Sequence, residues 1–169
     1  LFYADYAPYR FFLASNSIVI GRAEELSNEE KHERREKAER GEELNPIHWN
    51  YFKIRFNNSR SDVNIVPKDK LAHTRNFQNP TNLEETIKAS NYKELMYKNI
   101  YPNIDLVLEL PEQGGLKYSF TVHPGGNYQA IEMEYIGVNL SINEDQQLLM
   151  TNHIHHFSDR APTSYSNGN

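Results

Sequence analysis

The stretch YKNIYPNIDLVLELPEQGGLKYSFTVHPGG, residues 97–126, decides the fold. Every second residue from Ile104 to Leu110 is aliphatic and shares one strand face, and a second alternating run extends from Leu116 to Val122. Gly114 and Gly115 lie between the two runs and can adopt the positive φ angles that tight hairpin turns require. The stretch therefore predicts a β-hairpin with one dry face.

The same stretch carries further turn signals on either side of the hairpin. Pro102-Asn103 precedes the first strand, and Asn, like Gly, visits the left-handed region of backbone space. Pro124-Gly125 follows the second strand. We predict structural turns at Pro102, Asn103, Gly114, Gly115, Pro124 and Gly125.

Outward from this hairpin, the rest of the chain repeats the two-residue period. Phe52, Ile54 and Phe56 share one face of a predicted strand, and a second hairpin is predicted near residues 143–146. The richness in aromatic residues, 11 Tyr and 8 Phe, also favours strands. We therefore predict an all-β fold, an antiparallel β-sandwich of short strands. One domain is expected over 1–166, with 68–91 mostly loop and 167–169 a linker or tail.

Residues 27–43 depart from the strand pattern. They are rich in charge, and Ser27 followed by Glu30 is typical of a helix-capping box, with Gly41 as a stop. Glu33 and Lys37 stand at the spacing that supports an exposed helix. We predict one charged helical insertion, an exposed arm between strands; a helix that binds a partner is the alternative.

The composition narrows the range of functions. A net charge of −5 gives no electrostatic footprint for nucleic acid. No apolar run approaches the roughly 20 residues that span a bilayer, so the chain is not predicted to cross a membrane. The absence of Cys excludes thiol catalysis, thiolate zinc sites and disulfides. Because the sequence opens at Leu1 within a strand pattern, we expect it to be a fragment of a longer chain.

Two sets of residues suggest chemistry, but each has a simpler interpretation. His153 and His155 would lie on one strand face and are weak candidates for a metal site; we interpret them as solvent-facing histidines. Glu132 and Glu134 are paired as in a glycosidase, yet alternate residues of an amphipathic strand are expected to be polar. We therefore predict no catalytic residue, no metal and no cofactor, and keep a hydrolase as a less favoured possibility.

The aromatic residues are the stronger functional signal. Trp49 and Tyr51 alternate with Phe52 and Ile54 and so belong to the opposite face. A platform for sugar or for a partner strand is one interpretation. The other, which we favour from the sequence, is that a second sheet covers this face. The predicted binding surface consists of Trp49, Tyr51, Tyr97 and Tyr101.

Residues 97–127, together with IEMEYIGVNLSINEDQQLLM and APTSYS, carry a family resemblance. They resemble the uncharacterised domain near the N-terminus of large exported bacterial proteins, whose pattern is Tyr-(Lys/Arg)-x-(Leu/Ile)-Tyr-Pro-Gly-Ile-Asp-Leu, a Gly-rich turn and a Tyr-Asp-Phe-x-Val-x-Pro-Gly-Ala-Asp segment. Asn103 stands where that pattern has Gly, and Gly126-Asn127 replaces Ala-Asp. Around residues 75–79 the usual Asn-Tyr-Phe-x-Gly-Asn-Asp-Pro block is eroded.

The resemblance implies an extracellular or cell-surface location in a bacterium. In that family the domain precedes β-propeller-type or adhesin-like repeats, or a gliding-motility-type sorting signal for type IX secretion. The implied partners are other domains of the same long chain, and outer-membrane or secretion-machinery proteins. We predict a non-catalytic structural or interaction module of an adhesin or gliding-motility type of protein, with a carbohydrate-binding module as the alternative.

Overall fold

The computed structural model describes residues 2–6, 8–79, 82–111, 114–152 and 156–166. Within these residues the fold is all-β and sandwich-like, as predicted, with antiparallel sheets and a single α-helix. In chain order the elements are β1 (Phe2–Tyr6), β2 (Tyr9–Leu13), β3 (Ser17–Ala23), α1 (Asn28–Glu39), β4 (Trp49–Phe56), β5 (Asn64–Asn79), β6 (Asn82–Tyr101), β7 (Ile104–Glu109), β8 (Lys117–Val122), a 3₁₀ turn (Tyr128–Ala130), β9 (Met133–Ile136), β10 (Asn139–Ile142), β11 (Leu148–Thr151) and β12 (His156–Asp159).

The strands form a five-stranded sheet in the order β1-β2-β3-β4-β9, a four-stranded sheet in the order β5-β6-β7-β8, and a three-stranded sheet in the order β10-β11-β12. The chain divides into two compact units. The first unit contains Ala14–Ser17 and Phe56–Met133, and the second contains Phe2–Leu13, Ile18–Arg55 and the chain from Glu134 onward. The single domain over 1–166 stays a prediction. No helix in the described part of the chain is long and apolar enough to cross a membrane.

The first unit is built on the hairpin that the sequence predicts. β7 pairs antiparallel with β8, and Leu106 lies opposite Phe120 on one side and Tyr97 of β6 on the other. Ile104 and Leu106 are fully buried, so the aliphatic face of β7 is the dry face. The buried apolar side chains of this unit are Phe56, Leu95, Tyr97, Ile100, Tyr101, Ile104, Leu106 and Leu108.

The turns around the hairpin pack against each other. Asn103 has a φ of 57° in the turn between β6 and β7, and its carbonyl accepts a hydrogen bond of 2.9 Å from the backbone of His123. A Cβ atom on Gly126 would approach that same Asn103 carbonyl oxygen to 2.8 Å, so the close approach of the two turns requires glycine there. Gly114, Gly115 and Gly125 also have positive φ angles.

The second unit has two layers. On the inner side of its five-stranded sheet, Phe11 and Phe52 are buried. Phe157 of β12 packs on that side, with ring centroids 4.8 Å from Phe52 and 6.2 Å from Tyr9. The buried apolar side chains of this unit are Phe11, Leu13, Ile18, Ile20, Phe52, Ile54 and Met150.

Helix α1 lies within the predicted charged insertion, 27–43. The capping box is present, with the Ser27 hydroxyl accepting from the Glu30 N–H at 3.1 Å and the Glu30 carboxylate accepting from the Ser27 N–H at 2.7 Å. Lys37 and Glu33 form an ion pair at 2.7 Å, and no residue of the helix is buried. Gly41 has a φ of 69° just beyond the helix end. The helix is therefore stabilised by its cap and its own charge pairs.

The prediction that residues 68–91 are mostly loop is wrong. Most of them lie in β5 and β6, which pair from Asn64 opposite Lys98 to Asn79 opposite Asn82, with an irregularity between Lys70 and Thr74. The described side chains near the far end of this hairpin, such as Ala72 and Thr74, are exposed. Exposed side chains such as these give the sequence no two-residue hydrophobic period, so the described residues at this end carry no strand signal.

Shortening a side chain on the dry face of β7 tests its role in the first unit. We expect Leu106→Ala to lower the free energy of unfolding by about 2–5 kcal/mol, because it opens a cavity at a fully buried position. Val122→Ala in the paired strand is the matched control; Val122 is 42% exposed, so its truncation should cost less than about 1 kcal/mol. Urea denaturation measures both, and equal losses would contradict this placement of the core.

Candidate aromatic binding face

Strand β4 divides its side chains between two environments. Phe52 and Ile54 are 3% and 5% exposed and point to the inner side of the sheet. Since side chains alternate along a strand, Trp49 and Tyr51 belong to the outer side. There Trp49 is half-buried and Tyr51 is 41% exposed. The sheet therefore presents aromatic rings to solvent opposite its own core.

Neighbouring strands extend these rings into a continuous row. Tyr3 of β1 lies opposite Phe12 of β2, and their ring centroids are 5.2 Å apart. Phe12 is 6.2 Å from Tyr51, and Tyr51 is 6.4 Å from Trp49 with the two ring planes inclined by only 23°. We call the outer surface formed by Tyr3, Phe12, Trp49 and Tyr51, with Asp5 and Arg10, the aromatic face.

A glycine in β3 makes room for the Tyr51 ring. A Cβ atom at Gly21 would lie 2.4 Å from Tyr51 Cε1 and 2.7 Å from Cδ1, closer than atoms can approach. The ring therefore lies directly over the backbone of Gly21, a position that any other residue would block. Glycine in a strand interior costs stability and marks such close approaches.

A pair of opposite charges lies among the rings. The guanidinium carbon of Arg10 is 3.8 Å from the centre of the Trp49 ring, a cation–π distance. Arg10 Nε is 3.4 Å from Asp5 Oδ2, and the Tyr3 hydroxyl donates a hydrogen bond of 2.7 Å to the same oxygen. Burial lowers the pKa of Arg10, but a side-chain hydrogen bond with Tyr51 and nearby charge outweigh it and raise that pKa above its usual value. Arg10 therefore stays charged while it holds Trp49, Tyr51 and Asp5 together.

The expectation that a second sheet covers this face is wrong. Tyr3 and Tyr51 are 44% and 41% exposed, which a covering sheet would not allow. The inner side of the same sheet, where Phe52 meets Phe157, is the side that another sheet covers. The outer side is accessible to a ligand.

The structure also corrects half of the predicted binding surface. Tyr97 and Tyr101 are 0% and 1% exposed and belong to the core of the first unit, so the prediction that they form a binding surface is wrong. Tyr97 shares the dry face with Leu106, and the Tyr101 hydroxyl donates a hydrogen bond of 3.1 Å to the carbonyl of Glu132. Burial raises the pKa of both hydroxyls above the ordinary value.

The two glutamates with a glycosidase-like spacing have partners of their own. Glu132 accepts hydrogen bonds from the side-chain amides of Asn57 and Asn58 at 3.1 and 3.3 Å. Glu134 forms an ion pair with Arg55 at 3.2 Å. These carboxylates are used to hold strand ends and turns in place.

The histidines give no assembled metal site in the part of the chain that the structure describes. His153 and His155 lie outside the described residues. His123 is 2.9 Å from Asp105, whose other oxygen accepts from the Asn99 N–H at 2.7 Å. Burial raises the pKa of Asp105, and these two hydrogen bonds outweigh it and hold the pKa below its usual range. The described residues include no group of three His, Cys, Asp or Glu able to hold a metal ion.

The residues of the aromatic face that were missed from the sequence are Tyr3, Asp5, Arg10 and Phe12, together with Gly21 beneath the Tyr51 ring. Phe12 falls on the opposite phase from the buried Phe11 and Leu13 of β2, and Tyr3 lies opposite Phe12 on β1. Bulky aromatic residues that alternate with the buried residues of several strands, at positions where polar residues are usual, indicate such an exposed face. Arg10 and Gly21 become recognisable only through the strand register, which places them opposite each other.

Comparison with known proteins gives a family without an assigned activity. A family model described as "Domain of unknown function (DUF7948)" matches residues 1–169. No curated protein and no solved structure matches the chain.

Two Tyr→Phe substitutions test the buried positions. The Tyr97 hydroxyl is buried and has no hydrogen-bond partner among the described residues, so we expect Tyr97→Phe to leave stability unchanged or raise it by about 1 kcal/mol. Tyr101→Phe removes the bond to Glu132 and should lower stability by about 1 kcal/mol. Urea denaturation of the two variants measures the difference, and a larger loss for Tyr97→Phe would contradict these assignments.

Proposed function

We propose that this chain, which belongs to the DUF7948 family over residues 1–169, is a non-catalytic interaction module that binds its partner through the aromatic face. The observation that carries the proposal is the row of partly exposed rings on the outer side of the five-stranded sheet, with Tyr51 lying over Gly21. Aromatic rings are enriched in binding surfaces because they offer a large, rigid contact area with a polar edge.

The arrangement of the face favours binding over a purely internal role. The core of the second unit is complete without these rings, because Phe11, Phe52 and Ile54 supply it from the other side. Glycine at position 21 lowers strand stability, but it lets the Tyr51 ring lie against the sheet in one particular position. A rigid sheet also holds a binding surface more accurately than a loop does.

The side chains with catalytic potential support a non-catalytic role. Glu132 is held by two asparagine amides, and Glu134 is paired with Arg55. Neither carboxylate has the apolar surroundings that would prepare it to act as a general acid. A hydrolase is therefore the less favoured function.

The sequence resemblance supplies the proposed setting. On the strength of that resemblance, we propose a longer exported bacterial protein at the cell surface, of an adhesin or gliding-motility type and a cargo of type IX secretion. Other domains of the same chain and outer-membrane or secretion-machinery proteins are then its proposed neighbours. A carbohydrate-binding module is the second candidate function, and the near-parallel rings of Trp49 and Tyr51 favour it.

Photo-cross-linking in cells tests whether the aromatic face is a binding surface. The photoreactive amino acid p-benzoylphenylalanine is placed at Tyr51 of the full-length protein, where it keeps an aromatic ring on the face. Its ketone inserts into nearby C–H bonds of any class of ligand. We expect illumination to give an adduct of raised mass, detected with an antibody to the protein.

Tyr128 provides the matched control, because it is 68% exposed and lies in the other unit. The same label there should give little or no adduct. Equal yields at positions 51 and 128, or no adduct at position 51, would contradict the proposal.

A further inference from the structure

We infer that the ligand of the aromatic face is an extended, uncharged glycan chain that crosses the strands over Tyr3, Phe12 and Tyr51. The inference rests on the proposed function and names the class of ligand for that site. It is carried by the direction of the ring row, by the way Tyr51 lies on the sheet and by the balanced charge of the face.

The direction of the row favours a linear ligand that runs across the sheet. Tyr3 and Phe12 stand opposite each other on β1 and β2, and Tyr51 on β4 leans over Gly21 of β3. The row therefore crosses β1, β2 and β3, with the Tyr51 ring reaching over from β4. A partner β-strand added at the edge of β1 would run parallel to the strands and contact Tyr3 alone, so it would leave most of the row unused.

The orientation of Tyr51 suits a flat, partly apolar ring. With one side of the Tyr51 ring against the Gly21 backbone, the other side is available to solvent. The C–H faces of a pyranose are apolar and carry a small positive charge, so they stack on the negative face of an aromatic ring. Centroid separations of 5.2 and 6.2 Å along the row allow successive sugar rings to meet successive side chains.

The charges of the face point to a neutral ligand with many hydroxyl groups. Arg10 and Asp5 offset each other at 3.4 Å, so the ring-bearing surface has no net charge from this pair to attract an anionic lipid or an acidic peptide. Asp5 is a half-buried carboxylate, and carboxylate oxygens accept hydrogen bonds from hydroxyl groups. A site that combines aromatic rings for stacking with a few fixed polar groups is suited to binding sugar rings, which carry hydroxyl groups.

Calorimetry with defined oligosaccharides tests the inference on the 169-residue chain. The probes are the neutral hexasaccharides of β-1,4-glucose, β-1,3-glucose, β-1,4-xylose, β-1,4-mannose and β-1,4-N-acetylglucosamine. The proteins are the parent chain, Tyr51→Ala, Gly21→Ala and, as the control, Tyr128→Ala. Gly21→Ala keeps every ring of the face but forces the Tyr51 ring off the backbone, because its new Cβ would overlap that ring.

We expect at least one hexasaccharide to bind the parent chain, with affinity about tenfold weaker for Tyr51→Ala and Gly21→Ala and unchanged for Tyr128→Ala. Thermal unfolding of each variant establishes that it is folded, and Gly21→Ala provides the test if Tyr51→Ala does not fold. Binding that survives in both face variants, or no binding of any hexasaccharide, would overturn the inference.

The cross-linking experiment separates this inference from the proposed function. A protein adduct from position 51, together with no hexasaccharide binding, would overturn the glycan ligand and leave the aromatic face as a protein-binding surface. The absence of both adduct and hexasaccharide binding would overturn the two together.

Discussion

Phe52 and Ile54 are buried on the inner side of β4, and their burial determines which residues of that strand form the core and which face outward. A strand has a side-chain period of two, so two large apolar residues held in the core fix the direction of every other side chain in that strand. A slip of one residue would bring Trp49 and Tyr51 inward and expose the phenylalanine, which the loss of apolar burial opposes. The core and the proposed binding surface are therefore two results of one register.

The same alternation explains why the tyrosines of this chain have different roles. Tyr97 belongs to the phase of β6 that faces Leu106 and is enclosed, whereas Tyr51 belongs to the outer phase of β4 and is exposed. Residue type alone does not tell a buried tyrosine from an exposed one, because a tyrosine ring is suited to either environment. The phase of the strand determines whether a tyrosine is buried or exposed. In β4, phenylalanine and isoleucine identify the inner phase, so the sequence alone predicts that Tyr51 and Trp49 face outward. For Tyr97 the deciding feature is the pairing of β6 with β7, which no local pattern in the sequence reveals.

The sequence predicted the elements that carry a strong local pattern. The β7–β8 hairpin and helix α1 were predicted, since the first has a strict aliphatic period and the second has a complete capping box. The far part of the β5–β6 hairpin was missed because its described side chains, such as Thr74 and Thr86, are exposed. The ring row was only half predicted. Trp49 and Tyr51 were predicted from the sequence of β4 alone. Phe12 and Gly21 are brought to the same face by the pairing of β2 with β3, which a local sequence pattern does not reveal.

Hydroxyl-radical footprinting of the 169-residue chain, with oxidation measured by mass spectrometry, tests whether strand phase separates the buried tyrosines from those of the outer aromatic face. Oxidation of each tyrosine is compared in the native chain and in the same chain unfolded in urea. We expect Tyr3 and Tyr51 to be oxidised readily in the native chain, and Tyr97 and Tyr101 to be oxidised only after unfolding. Protection of Tyr51 together with ready oxidation of Tyr97 in the native chain would contradict this expectation.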